Sequence, residues 1–586
     1  MITRRRFVEG LAATGLAAHG LSRAQAMPVL SGSRFDLAIG ALPINITGRP
    51  RTATAVNGSV PGPTLRFREG DTVTINVRNS LRESTSIHWH GLLLPNAMDG
   101  VPGLTFRGIA PGETFTYRFP IRQAGTYWYH SHSGTQEQTG LSGPLILEPR
   151  GREPYTYHRD YVVMLSDWTD EEPMAIVSNL KQQSDYYNYR RRTVGTFVDD
   201  AQRDGLPAAV GDRAMWGRMR MSPTDIMDVT GATYTFLMNG QPPAANWTAL
   251  FAPGENVRLR FINGSAMTTF DVRVPGLDMR IVAADGSDVM PVMVEEFRIG
   301  VAETYDVIVR PRPGAYPIFA QAQDRSGYAR GTLAFRQGME TVVPPLDPPA
   351  LRTMADMGMS HGSMEHGGKD HSTTGGGTVD HSKMDHGAMD HSKMEQEPTG
   401  RAAPSAASTP TSNADGVDPA SLRGKPSVDN VAMAPKDRLG EAGTGLDGNG
   451  RRVLTYRALR SIVPRAGASP QRAIEFHLTG NMERWVWGFN GKKFSESKAV
   501  RVKLGERIRF VLINDTMMEH PIHLHGFLFE VENGQGDRLP LKHTINVKPG
   551  ERLSFVFTAD EPGHWAFHCH LLYHMEMGMF RTVLVS

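Results

Sequence analysis

The sequence predicts an all-β protein of three Greek-key β-sandwich domains, with a long Met/His-rich disordered insertion between the second and third. Three observations predict it. The same punctuation recurs three times: Asn57-Gly58, Gly70-Asp71 and Asn79; Asn239-Gly240, Gly254-Glu255 and Asn263; Asn490-Gly491, Gly505-Glu506 and Asn514. Between each later Gly and its Asn runs a segment of period two, Thr72 to Val77, Asn256 to Phe261 and Arg507 to Leu512, which is the signature of a strand. Short strands separated by Gly and Pro turns at this spacing belong to sandwiches rather than to α/β folds.

Taken in order, residues 1–26 read as a removable leader. Arg4, Arg5 and Arg6 precede a small-residue apolar stretch from Leu11 to Ala18 and then Ala24-Gln25-Ala26, an order that resembles a twin-arginine export signal, which carries folded proteins to the periplasm. Its loss removes four arginines and Glu9, so the net charge falls from +2 to −1. No apolar run in the mature chain is long enough to span a bilayer. Residues 27–150, 151–342 and 451–586 are the three sandwiches. The first and third share a second pair of turns, Pro111-Gly112-Glu113 with Gly125, and Pro549-Gly550-Glu551 with Gly563. The middle one keeps echoes at Ala302-Glu303 and Pro313-Gly314. Residues 343–450 are too poor in large apolar groups to form a core and read as a disordered linker.

Composition narrows the function. The 63 Lys plus Arg against 61 Asp plus Glu leave no positive field for nucleic acid. The lone Cys569 rules out an intramolecular disulfide. The 29 Met and 21 His are both ligand types for late transition metals.

The histidines fall into four clusters, each with an i, i+2 pair: His88 and His90; His130 and His132; His523 and His525; His568 and His570. On a strand such a pair leaves one face together. Eight imidazoles exceed what one ion can use and fit a cluster of three, with open positions for a small ligand such as dioxygen or water. His520 and Cys569 stand at odd offsets and face away from that set. With His574 and Met579 they supply two imidazoles, a thiolate and a weak thioether, the ligand set of a blue-copper electron-transfer site.

Outside the insertion, the mature chain resembles a three-domain multicopper oxidase, whose four histidine motifs these clusters match in order and spacing. The resemblance implies cupredoxin domains and four coppers per chain. His520, Cys569, His574 and Met579 match type 1 ligands, with Cys569 the electron conduit. His88 and His523 match type 2; His90, His130, His132, His525, His568 and His570 match the type 3 pair. Asp99 resembles the carboxylate that relatives place beside the cluster for proton supply. A second acid that some cuprous oxidases carry directly after the second type 1 histidine is replaced by Met575, followed by Glu576. Asp271 and Arg273 stand in the middle repeat where the others have histidine pairs, so that repeat is expected to hold no catalytic copper.

The leader and the Met/His content resemble the copper-resistance protein A branch. The tract of Met354, Met357, Met359, His361, Met364, His366, His371, His381, Met384, His386, Met389, His391 and Met394 offers soft, Cys-free ligands for additional labile copper. Met517, Met518, Met575 and Met577 near the type 1 ligands either receive Cu(I) or fill the core. The resemblance implies oxidation of Cu(I), or of phenols, coupled to reduction of dioxygen to water. Periplasmic copper-handling proteins are the expected partners. Two alternatives stand beside this reading: a laccase with an organic donor, and a copper-sequestering carrier.

Overall fold

The computed structural model describes residues 27–188, 190–359, 418–465 and 467–586. Its strands form six sheets, paired face to face as three sandwiches. In each sandwich the first long strand runs parallel to the strand that closes the repeat: Arg34–Ile44 on Thr72–Asn79, Arg159–Thr169 on Val257–Asn263, and Arg472–Asn481 on Arg507–Asn514. A third strand then pairs antiparallel, Thr114–Pro120, Thr304–Val309 and Arg552–Thr558. The repeats predict these sandwiches, and the arrangement is the cupredoxin-like one that the family resemblance implies.

The repeated asparagines explain why the punctuation recurs. Asn57, Asn239 and Asn490 sit in the left-handed region, φ 50°, 52° and 54°, which asparagine tolerates better than most residues. Each then accepts a backbone N–H of the first strand, from Ala38, Met164 and His477, at 2.7 Å. The closing Asn79, Asn263 and Asn514 are fully buried. Their side-chain amides donate to two carbonyls apiece: Glu83 and Ile109, Thr268 and Ile299, Met518 and Val547. One side chain thereby satisfies the buried carbonyls of the loop that leads into the next inner strand. In the first and third repeats that strand is His88–His90 or His520–Leu524.

Alternation along Thr72–Asn79 is the ordinary kind, with Val73, Ile75 and Val77 in the core. In Val257–Asn263 the polar side of the alternation is buried as well. Arg258 and Arg260 face Asp306 and Asp160, and Arg260 Nη1 reaches Thr126 of the first sandwich at 2.9 Å. That face is a domain interface, which a period of two cannot distinguish from solvent. The first sandwich has its own core, while the second and third share one that extends to Trp128.

Two differences from the sequence expectations stand out. Helices Pro173–Gln182, Val194–Asp204 and Leu206–Arg218 interrupt the second sandwich, the first docking Ile176, Val177 and Leu180 on the core and the second starting at a Thr193–Thr196 capping box. Part of the segment read as a linker is also packed on the sandwiches. Met354 and Met357 are buried in the shared core, and Met359 packs against it. Arg352 and Arg438 are buried among Glu519, Asp356 and Glu441, and Leu439 and Leu446 are buried too. Met354 and Met357 therefore pack in the core rather than standing in a free copper tract. His361, Met364, His366, His371, His381, Met384, His386, Met389, His391 and Met394 lie outside the described residues, as does the leader 1–26.

His477 supplies a pH test of the third sandwich. Burial opposes its charge, but Asp515 at 2.7 Å and Glu475 at 3.6 Å outweigh burial and hold its pKa up at about 9 against 6.5. A raised folded-state pKa gives stability that is complete below 6.5 and is lost as pH rises through 9. We expect a loss of order 2 kcal/mol across that window, read as a falling denaturation midpoint. His477→Gln should flatten the slope; an unchanged slope would place the titrating group elsewhere.

Candidate metal centre

Cross-strand register sets the histidines against each other. His88 lies opposite His130 on the strand pair of the first sandwich, and His523 opposite His568 on that of the third. The two sandwiches face across this point, so each close group of these eight rings draws on both. Within 4.8 Å of one another lie His88, His90 and His523; His90, His130 and His570; and His132, His525 and His568. The six histidines that the resemblance assigns to the type 3 pair thus divide into two sets of three. His88 and His523, assigned to type 2, close the cage with rings 5.8 Å apart.

The cage fits cations. Burial first, and then the neighbouring rings, push the pKa values of His90, His130, His132, His523, His525 and His570 well down, and burial holds His568 at about 4. The rings are therefore neutral, as ligands must be. Outer nitrogens are bonded: His88 Nδ1 to the Asp99 carbonyl at 2.8 Å, His523 Nδ1 to the His543 carbonyl at 2.7 Å and His568 Nδ1 to the Cys569 carbonyl at 2.9 Å. Such contacts fix the tautomer and aim the other nitrogen inward. Those inner nitrogens, Nε2 of His88, His130, His132, His523 and His570 and Nδ1 of His90, are buried without a hydrogen-bond partner. An unmet buried polar atom costs about 1–3 kcal/mol, so this many converging lone pairs call for bound metal.

Two carboxylates brace the cage from opposite sides. Asp99, buried after a 3-10 turn at Asn96–Met98, binds His525 Nδ1 at 2.9 Å and lies 3.3 Å from His88 Nδ1, so it clasps both domains. Gly100 permits this at φ 86°, since a Cβ there would lie 1.9 Å from the Ile87 carbonyl. Opposite it, Glu137 Oε2 meets His130 Nδ1 at 2.7 Å, with Oε1 4.0 Å from His570 Nδ1. Burial, then Asp167, pushes the Glu137 pKa well up. Sequence reasoning missed Glu137; the signal was the run Gln136-Glu137-Gln138, three polar residues that are all buried. His543, which belongs to none of the four histidine clusters, has its Nδ1 3.2 Å from His90 Nε2 and so leaves Nδ1 of His90 for the cage.

A second group lies one residue away. Cys569 Sγ is 3.5 Å from His520 Nδ1 and 3.9 Å from His574 Nδ1, and those nitrogens are 3.3 Å apart. Met579 is buried beside them, its carbonyl accepting the Cys569 N–H at 3.1 Å. Burial drives the thiol pKa up, so without metal the sulfur keeps its proton, and a cation must displace it. The outer nitrogens are again bonded, His520 Nε2 to Thr516 Oγ1 at 2.7 Å and His574 Nε2 to Asp228 Oδ2 at 2.9 Å. Trp487 stacks on His574 at 3.8 Å. Asp228 comes from the second sandwich and was not foreseen. Met517 and Met518 are core residues, and Glu519 is paired with Arg298 and Arg352. Met575, Glu576 and Met577 instead line an open cavity of about 720 Å³ that also touches His132 and Trp485.

In the middle sandwich, Asp271 occupies the strand Phe270–Arg273, which corresponds to the histidine strands. It is fully buried and bonded by Arg298 and Arg325, so an ion-pair network fills that face.

A fold of three such sandwiches with these two groups defines a copper-dependent oxidase, and comparison agrees. Multicopper oxidase family profiles match residues 39–152, 159–338 and 467–586, so the chain belongs to the multicopper oxidase family. It is similar to copper resistance protein A of Pseudomonas syringae pv. tomato, 57% identical over 100% of this chain and 99% of that protein. Copper resistance protein A of Escherichia coli is 52% identical over the same shares. Among solved structures, Fet3p, a multicopper oxidase that functions in iron import, superposes with a TM-score of 0.62 at 18% identity, covering 95% of this chain and 91% of that one. Membership implies copper cofactors, dioxygen as acceptor and a reducing substrate. Among the described residues no helix is long and apolar enough to cross a membrane.

Proposed function

We propose that the protein is a periplasmic cuprous oxidase of copper resistance, exported folded by the twin-arginine route, which oxidises Cu(I) and reduces dioxygen to water. His520, Cys569, His574 and Met579 would hold a type 1 copper, His88 and His523 a type 2 copper, and the two sets of three the type 3 pair. These four coppers would supply one-electron uptake at the Cys569 site and four-electron reduction of dioxygen at the cage. The rest is the work of the chain. His568 and His570 flank Cys569 directly, which joins the two sites by a peptide step. Asp99 and Glu137 hold the outer nitrogens of cage histidines, and the buried walls keep those rings neutral.

The observation that carries the choice of Cu(I) is Asp228. Its carboxylate holds His574, and the residues that follow His574, Met575 and Met577, wall the open cavity. A negative charge favours a cationic donor, and thioethers are soft ligands suited to Cu(I). Residues 361–394 would collect that ion, and periplasmic copper-handling proteins would exchange it. A phenolic donor is the second reading, favoured by the aromatic walls Phe494 and Phe580 of the same cavity. Asp228→Asn separates them. Cu(I) oxidation should fall about 10- to 100-fold, the usual cost of losing an outer partner of a ligand, with phenol oxidation falling less and copper per chain unchanged. Equal losses for the two donors would contradict the Cu(I) reading.

A further inference from the structure

One aromatic side chain both lines the cavity and approaches His574. Trp485 forms part of the cavity wall yet is itself fully buried. Its ring centroid lies 5.9 Å from that of His574 and 6.1 Å from that of Trp487. Its Nε1–H donates to Asp228 Oδ1 at 3.3 Å, while Asp228 Oδ2 meets His574 Nε2 at 2.9 Å. One carboxylate is thus held between the indole on the cavity side and the imidazole on the metal side. Trp487 stacks closer to His574 but does not line the cavity.

The backbone marks the same residue. Trp485 has φ 47° in the turn between Arg472–Asn481 and Val486–Phe489. A bulky residue in the left-handed region is an outlier that is kept only where its surroundings enforce it. Here they do: Asn481 Oδ1 accepts the Arg484 N–H at 2.8 Å, and Asp429 accepts the Asn481 amide at 2.7 Å. Glycine or asparagine would make this turn without strain, so the position is built around the indole.

We propose that Trp485, together with Asp228, is the port through which an electron passes from a Cu(I) ion lodged against Met575 and Met577 to the His574 side of the Cys569 site. The proposal rests on the Cu(I) reading above. One electron leaves Cu(I), which becomes Cu(II), and one electron arrives at the Cys569 site. No bond in the protein breaks, and the Trp485 proton stays on Nε1. The ring reaches from the cavity wall to Asp228, which in turn meets His574.

The test uses copper-loaded full-length protein and Trp485→Phe, which keeps an aromatic ring and loses the N–H. Mixed with Cu(I) without oxygen, the variant should lose its blue colour about 10-fold more slowly than wild type or worse. Reoxidation by oxygen after full reduction, copper per chain and the blue spectrum should be unchanged. A second readout needs no turnover: Ag(I), a soft ion with the charge of Cu(I) that donates no electron here, should quench a component of wild-type tryptophan emission. That component should be absent from Trp485→Phe and insensitive to Ag(I) in a Met575→Leu, Met577→Leu double variant. Unchanged bleaching in Trp485→Phe overturns the proposal, and so does loss of its blue colour, which would make Trp485 purely structural. Should the variant fail to fold, wild-type emission indifferent to Ag(I) overturns it, and quenching that the double variant abolishes upholds it. Failure of the Cu(I) reading looks different: wild type is then bleached by a phenol and not by Cu(I).

Discussion

Cys569→Ser should remove one copper of four per chain, abolish the blue colour and reduce oxygen uptake with any donor by more than the roughly 100-fold that loss of an outer partner costs. The reason lies in the pocket. Cys569 is buried with its thiol pKa driven up, and His520 and His574 present Nδ1 at 3.5 and 3.9 Å from the sulfur. Only a sulfur that exchanges its proton for a soft cation completes this set. A serine hydroxyl is harder and stays protonated, so the metal is lost. The main-chain bond from Cys569 N–H to the Met579 carbonyl does not depend on the sulfur. The cage draws on His568 and His570 by their rings alone, so three coppers should remain. Retention of four coppers with unchanged uptake would refute the assignment of the two sites. Loss of uptake with undiminished cellular copper tolerance would support the sequestering carrier instead.

Asp99→Ala should weaken copper binding by the cage about 10- to 100-fold while leaving the blue colour intact. Asp99 reaches a histidine of the first sandwich and one of the third, His88 at 3.3 Å and His525 at 2.9 Å. Removing it leaves His525 Nδ1 buried without its acceptor and frees that ring to turn. His88 retains the Asp99 main-chain carbonyl at 2.8 Å, so the loss should concentrate on the His132, His525 and His568 group. Asp99→Asn keeps one acceptor oxygen and should be milder. Metal analysis after dialysis against a graded chelator reads both variants, and equal retention by wild type and Asp99→Ala would show that the clasp is dispensable.

Much of this was legible in the sequence because its signals are local. The asparagines that punctuate each repeat carry their structural reason with them: a left-handed turn at Asn57, Asn239 and Asn490, and a buried amide at Asn79, Asn263 and Asn514. The paired histidines are equally local, since a period of two fixes their common face on any strand. What stayed hidden comes from far along the chain. Asp228 meets His574 across 346 residues, and His543 meets His90 across 453. No periodicity reports such contacts, and an acid such as Glu137 in a polar run looks solvated until the second sandwich and the Cys569 strand cover it. Met354 and Met357 show the converse error. Their neighbours are linker-like in composition, and only the apolar surface waiting on the sandwich turns them into core.

The central claim is that the donor is Cu(I), and oxygen consumption by protein loaded with four coppers per chain tests it most directly, with Cu(I) and a phenol supplied in parallel. The account predicts uptake with Cu(I) well above that with the phenol, and lower Cu(I) uptake after deletion of residues 361–394. Faster uptake with the phenol, indifferent to that deletion, would contradict it.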